Sequence, residues 1–373
     1  MKYYSRSVKI LRNGSAAIWL VALVSATIAM ASAIYFIYFY QPRQDGGLAA
    51  RADQAQKSSA QAVESPIIAI EKPTNLNLAK VQLGAALFHD PRLSRDDTIS
   101  CASCHDLEKG GTDQIAKSIG VDMQNGDINA PSVYNSALHF RQFWDGRARD
   151  LREQAAGPIF NPVEMASNWD EVLPKLAKDN DLVKAFEKIY NEKPNAQNIV
   201  DAIATYEESL LTPSRFDRYL QGDRAAITNE EQTGYGLFLR NGCVACHQGE
   251  GVGGNLYQKF GTMRDYYSGE CNQTHAAAIQ NSYYASCAEF KSDLGRFNVT
   301  GRDEDRYVFK VPSLRNVALT PPYFHNGSSI VLEDAVAKMG IFQLGVELPP
   351  EDVGTIAVFL RSLTGEELEK KIK

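Results

Sequence analysis

Two copies of one five-residue block constrain this chain more than anything else in it: Cys101-Ala-Ser-Cys104-His105 and Cys243-Val-Ala-Cys246-His247. Cys-x-x-Cys-His is the attachment signature of a c-type haem. The two thiols add across the porphyrin vinyl groups, and the adjacent His is placed to ligate the iron. A redox dithiol or a zinc site explains the block less well, because neither needs His directly after the second Cys in both copies. Two blocks about one small domain apart point to a di-haem electron-transfer protein.

The length of 373 residues accommodates two such domains with appendages. A net charge of −6 argues against a nucleic-acid-binding surface. Lys2, Arg6, Lys9 and Arg12 precede an uncharged, mostly apolar run from Asn13 to Gln41. About 20 apolar residues span a bilayer, so residues 1–41 read as a cytoplasmic stub and a membrane anchor. Ala31-Ser32-Ala33 resembles a signal cleavage site, but the apolar run continues past it, which favours an uncleaved anchor. The body is then expected in the periplasm, tethered to the inner membrane. Residues 42–66 lack hydrophobic periodicity and read as a disordered tether. About 25 residues of that kind reach roughly 25–30 Å end to end.

The surroundings of the two motifs also repeat. Gln82-Leu-Gly84-Ala-Ala-Leu87-Phe88 precedes the first and Gln232-Thr-Gly234-Tyr-Gly-Leu237-Phe238 the second. Each reads as an amphipathic helix with a Gly where another helix crosses closely. A closing helix follows each motif: one around Tyr206, stopped by Pro213, and one around Phe359, stopped by Gly365. The expected class is mainly α: two cytochrome c-like domains in tandem, residues 67–224 and 225–373, preceded by one transmembrane helix and the tether. The first domain also holds a loop region from Gly110 to Pro162 and a helical stretch from Trp169 to about Asn191. Long loops are often functional, and this region carries Trp144, Gln154 and Glu164.

From about Leu76 to Gly365 the chain resembles the bacterial di-haem cytochrome c peroxidases. The resemblance is carried by Ser118-Ile-Gly120, Asn129-Ala-Pro131, Gln142-Phe-Trp144-Asp-Gly-Arg147, Gln154-Ala-Ala-Gly157-Pro158, Val163-Glu164-Met165, Phe309-Lys-Val-Pro312-Ser-Leu-Arg-Asn316, Pro322-Tyr-Phe-His325-Asn-Gly327 and Met339-Gly340. It implies a peroxidase that reduces hydrogen peroxide to water with electrons from an external donor. It also implies that the haem on His247 has Met339 as second axial ligand and receives the electrons. The haem on His105 becomes the peroxidatic one, with Glu164 as acid/base, Gln154 as a positioning amide and Trp144 between the haems. Asn129, Thr320 and Pro322 match the family's calcium site, a claim that rests wholly on the resemblance. The implied donor is a small cytochrome c or a copper protein; the anchor adds quinol as a candidate. A homodimer is the family's common state.

The chain departs from the family in two places. Many members carry a distal His directly after Ser-Ile-Gly; here that position is Val121, which cannot ligate. The His105 haem is therefore expected to be open at rest, with Met123 the alternative labile cap. Cys271 and Cys287 flank a Tyr-rich insertion and most simply form a disulfide worth roughly 3 kcal/mol. His139 reads as a structural or surface residue, His275 as a surface one, and His325 as outer-shell support for the second haem. Two other functions compete with the peroxidase: a non-catalytic electron carrier, disfavoured by Glu164 and Gln154, and a protein-oxidising di-haem enzyme, disfavoured by Met339 and Glu164.

Overall fold

The computed structural model describes residues 64–267 and 294–372. The chain divides into two units, Met1–Ala60 and Gln61–Lys373, and the described residues all belong to the second. The expected anchor, most of the tether, the Cys271–Cys287 pairing and His275 lie outside the described residues. No helix among the described residues is long and apolar enough to cross a membrane. At the end of the expected tether, Ser65 and Pro66 are fastened: Ser65 Oγ lies 2.6 Å from the Tyr235 hydroxyl, and the Pro66 carbonyl accepts from Gly249 N at 2.9 Å.

Helices dominate, as expected. In chain order they are α1 (Leu78–Phe88), α2 (Cys101–Cys104), α3 (Leu151–Phe160), α4 (Trp169–Leu176), α5 (Asn180–Tyr190), α6 (Ala196–Glu208), α7 (Arg215–Leu220), α8 (Asn229–Arg240), α9 (Phe297–Thr300), α10 (Leu332–Lys338), α11 (Pro350–Arg361) and α12 (Glu366–Ile372). The one named sheet among the described residues is a two-stranded antiparallel ribbon of β1 (Tyr257–Lys259) and β2 (Val308–Lys310), with Tyr257 opposite Lys310.

Apolar side chains gather in two separate cores. One runs from Leu83 to Tyr206; the other takes Ile67 and Phe216 through Leu363. Each is organised by the crossing its glycine permits. A Cβ on Gly84 of α1 would stand 1.9 Å from the Ala202 carbonyl oxygen of α6. On Gly234 of α8 it would stand 2.2 Å from the Thr355 oxygen of α11. No side chain fits either gap, so the two expected close crossings are both present. Both helices are also well begun: Asn77 Oδ1 caps α1, and Thr228 with Glu231 forms a reciprocal capping box on α8.

Three sequence expectations need correction. The closing helices end before their Pro and Gly signals, α6 at Glu208 and α11 at Arg361. Instead of continuing the helix, the carbonyls of Leu210 and Leu363 accept from the backbone N–H of Asn135 and Asn316, both at 3.1 Å. Gly365 therefore precedes α12 rather than closing a helix. The Trp169–Asn191 stretch is two helices, because Asp179 caps a new one by accepting from Asp181 N and Leu182 N. The loop region from Gly110 to Pro162 contains α3, opened by Asp150 accepting from Glu153 N at 2.9 Å.

A deeper repeat than the haem blocks joins the two cores. Asn135 and Asn316 share a left-handed backbone (φ 61° and 60°), as do Phe143 and Phe324 (66° and 69°) and Gly146 and Gly327 (67° and 65°). The bridges Gln142–Ala148 and Tyr323–Ser329 fall at the same interval. Asn129 N donates to the His325 carbonyl at 2.7 Å, and Lys310 N donates to the Trp144 carbonyl at 2.7 Å. The two segments thus grip each other reciprocally, as a pseudo-twofold requires. Thr212 Oγ1 accepts from both Asn135 Nδ2 and Asn316 Nδ2, at 2.8 and 2.9 Å.

Gly84→Ala is expected to destabilise the protein by about 1–3 kcal/mol in a denaturant titration, because α1 must move off α6. Gly354→Ala, where a Cβ meets nothing within 4 Å, is the control and is expected to stabilise by about 0.4–1 kcal/mol. Equal behaviour of the two variants would contradict the crossing.

Candidate functional site

The first Cys-x-x-Cys-His block is a single helical turn. Ser100 N donates to Ser103 Oγ at 3.0 Å to begin α2, and His105 N donates to the Cys101 carbonyl at 2.9 Å to end it. His105 Nδ1 lies 3.2 Å from the Gly111 carbonyl. A carbonyl can only accept, so the ring proton sits on Nδ1 and Nε2 is left as a ligand. The second block repeats this: His247 N donates to the Cys243 carbonyl at 3.0 Å. Its Nδ1 is buried among the Val252 and Pro312 carbonyls without a well-directed bond. Gly253 makes room for that ring, since a Cβ there would lie 2.3 Å from the Pro312 oxygen and 3.3 Å from Nδ1.

Burial holds both imidazoles neutral, lowering His105 and taking His247 down to about 4. Burial pushes the thiols the other way, Cys101 to about 12 and Cys104 and Cys243 to about 11. A redox dithiol needs a lowered thiol, so that reading fails. The zinc reading also fails, because no group of three or more His, Cys, Asp or Glu residues among the described residues is placed to hold a metal. Four free thiols beside neutral imidazoles in apolar surroundings fit covalently attached haem.

A single cleft contains Cys243, Cys246, His247 and Met339 along with Trp144, His325, Asn129, Thr320 and Pro322. Met339 opens a π-helix, Met339–Leu344, that directly extends α10. Such widened turns are frequent at functional sites. The Trp144 indole donates from Nε1 to the Asn129 carbonyl at 2.9 Å and meets the His325 ring edge-on at 6.2 Å. His325 is itself stacked on Phe309 at 4.3 Å, and burial lowers its pKa to about 3. His325 is the pseudo-twofold mate of Trp144, so both halves contribute one ring to the seam. The three expected calcium residues all line this cleft, and Asn129 Nδ2 donates to Ile115 O at 2.9 Å.

Glu164 stands on the turn that follows α3. The Asn161 amide donates to its Oε1 at 2.6 Å, while Glu164 N donates to the Asn161 carbonyl at 3.1 Å. Burial raises the carboxyl pKa; the Asn161 hydrogen bond and the Arg147 cation oppose that rise. Val121 is 1 % exposed, and its N–H donates to the Glu164 carbonyl at 2.9 Å. Gly120 beside it has no room for a side chain, since a Cβ would lie 2.3 Å from the Val163 oxygen. The loop bearing Val121 is therefore packed directly on the Glu164 turn. Met123, the alternative cap, lies two residues on and is 76 % exposed. Gln154 lies half-buried on α3, the helix that leads into the turn. Of the structural and surface roles expected for His139, its buried Nε2 fits the structural one.

A family model described as "Di-haem cytochrome c peroxidase" matches residues 78–225. Cytochrome c peroxidase Ccp of Escherichia coli is 46 % identical over 302 residues, 80 % of this chain and 61 % of that protein. The chain thus spans less than two thirds of that relative. Cytochrome c551 peroxidase of Nitrosomonas europaea is 45 % identical over 313 residues, covering 83 % of this chain and 87 % of that one. Among solved structures, a MauG-like protein associated with microbial copper homeostasis superposes with a TM-score of 0.65 at 27 % identity, over 83 % of this chain and 95 % of that one. The chain belongs to the di-haem cytochrome c peroxidase family.

Proposed function

We propose that this chain reduces hydrogen peroxide to water with electrons from an external donor, and that its two cytochrome c-like domains, residues 67–224 and 225–373, divide the work. The observation that carries the reading is the half-buried Glu164, its pKa raised, packed against a distal residue, Val121, that cannot ligate iron. When bound, the two haems supply iron sites for peroxide and for electron passage. His105 would hold the peroxidatic one through Nε2, with Val121 unable to supply a further ligand. His247 and Met339 would hold the other, a ligand pair that suits electron transfer. Trp144 lies between the halves and is assigned as the relay.

Reducing peroxide takes two electrons and two protons and yields two waters. Glu164 takes a proton from the nearer peroxide oxygen and returns it to the leaving one, so it must be ionised when peroxide arrives. Gln154 orients peroxide by hydrogen bonding. Asn129, Thr320 and Pro322 are assigned to a calcium ion that fixes the two halves, through carbonyl and amide oxygens and water. Residues 13–41 are assigned as an inner-membrane anchor with the body in the periplasm. The donor is a cytochrome c or a copper protein, with quinol the third candidate, and a homodimer is the proposed assembly.

Glu164→Gln is expected to lower kcat/KM for peroxide by about 10²–10⁴-fold with both haems retained. Undiminished turnover in the variant would remove Glu164 as the acid/base, and absence of peroxide turnover in the unaltered holoprotein would favour the electron carrier. The pH profile gives an independent check. Because the Glu164 pKa is raised and the ionised form is required, kcat/KM should fall on the acid side above the ordinary carboxylate range. Asn161→Ala removes the bond that stabilises the carboxylate, so it should move that acid limb to higher pH. A limb that stays in place would remove Glu164 as the base.

A further inference from the structure

The cleft of His247 carries a cation without a counter-ion. Its lining includes Lys259, Lys310 and Arg315 and contains no Asp or Glu. Arg315 is neutralised by Asp217 through two 2.9 Å bonds, and Lys259 is exposed to water. Lys310 is 6 % exposed and forms no ion pair among the described residues. Its Nζ lies 3.0 Å from His139 Nδ1, across the seam between the two halves. An ammonium only donates, so Nδ1 accepts and the imidazole proton sits on Nε2. That Nε2–H is buried and has no partner. The ring's place is built in, since a Cβ on Gly254 would lie 2.3 Å from its Cδ2.

The fold says what belongs there. Lys310 is the pseudo-twofold mate of Asn129, and His139 is the mate of Thr320. On one side of the seam two neutral oxygen-bearing residues stand ready for a cation; on the other the protein supplies its own. A buried cation and a buried N–H donor that share one wall together call for a carboxylate. We propose that Lys310 and His139 form a carboxylate-holding station that fixes a propionate of the haem seated against His247. The inference rests on the assignment of a haem to the His247–Met339 cleft. Burial pushes Lys310 down to about 8, which a neighbouring carboxylate would oppose.

The test is a potentiometric titration of the full-length holoprotein, following the haem whose ferric spectrum carries the methionine–iron band. A cation beside a haem favours the reduced form. Lys310→Met is therefore expected to lower that haem's reduction equilibrium constant about tenfold, about 59 mV for one electron. His139→Phe, which removes one donor, should lower it by a smaller factor of about three. Lys310→Arg should retain the wild-type potential. Lys310→Met with both haems bound, the methionine band intact and the potential unmoved overturns the proposal. If Lys310→Met fails to take up haem, His139→Phe decides: a lowered potential supports the station and an unchanged one overturns it. Absence of the methionine band from the wild-type protein would instead overturn the Met339 assignment.

Discussion

Everything in this molecule depends on the reciprocal backbone grip across its seam. Asn129 N on the His325 carbonyl and Lys310 N on the Trp144 carbonyl, both at 2.7 Å, hold the two halves, each with its Cys-x-x-Cys-His block, at one separation. Electron passage between two redox groups tolerates little change in that separation, so the joint must be stiff. The stiffness comes from buried groups with few alternatives. Asn135 and Asn316 are fully buried, and both donate to the one hydroxyl of Thr212. Leaving any of them unpaired would cost about 1–3 kcal/mol per group. Near the seam, the Arg315–Asp217 pair is 0 % and 3 % exposed and ties the segment around Ile68 and Ile70 to the second core.

The scaffold is symmetric in backbone and asymmetric in chemistry. Both proximal histidines are buried with Nδ1 near backbone carbonyls, and the two blocks are near-identical in sequence, so neither block by itself distinguishes its haem. The difference is built on the far side. One half places Val121 against the Glu164 turn, with a carboxyl that burial keeps easier to protonate than usual. The other half extends α10 by a π-turn that starts at Met339. The seam shows the same division: Trp144 faces His325, and the oxygen-bearing Asn129 and Thr320 answer Lys310 and His139.

Much of this was legible in the chain, for physical reasons. The haem blocks are local chemistry, and Gly84 and Gly234 mark places where no side chain fits, so both survive translation into structure. The stretches Pro131-Ser-Val-Tyr-Asn135-Ser-Ala-Leu138 and Pro312-Ser-Leu-Arg-Asn316-Val-Ala-Leu319 also spell out the deeper repeat, at an interval different from that of the haem blocks. The ends of α6 and α11 were not legible, because what stops them is a carbonyl captured by a distant asparagine rather than a neighbouring Pro or Gly. His139 was legible only as either structural or surface for the same reason: its burial depends on Gly254 and Lys310, far away in sequence. Local signals predict local structure; the seam is long-range.

The most direct measurement is the spin state of the resting ferric holoprotein, read by electron paramagnetic resonance with its optical spectrum. One high-spin haem beside one low-spin, methionine-ligated haem is the result expected from an open site at Val121 and a site closed by Met339. Two fully low-spin haems would contradict it, because a sixth ligand would then occupy the position that Val121 leaves vacant.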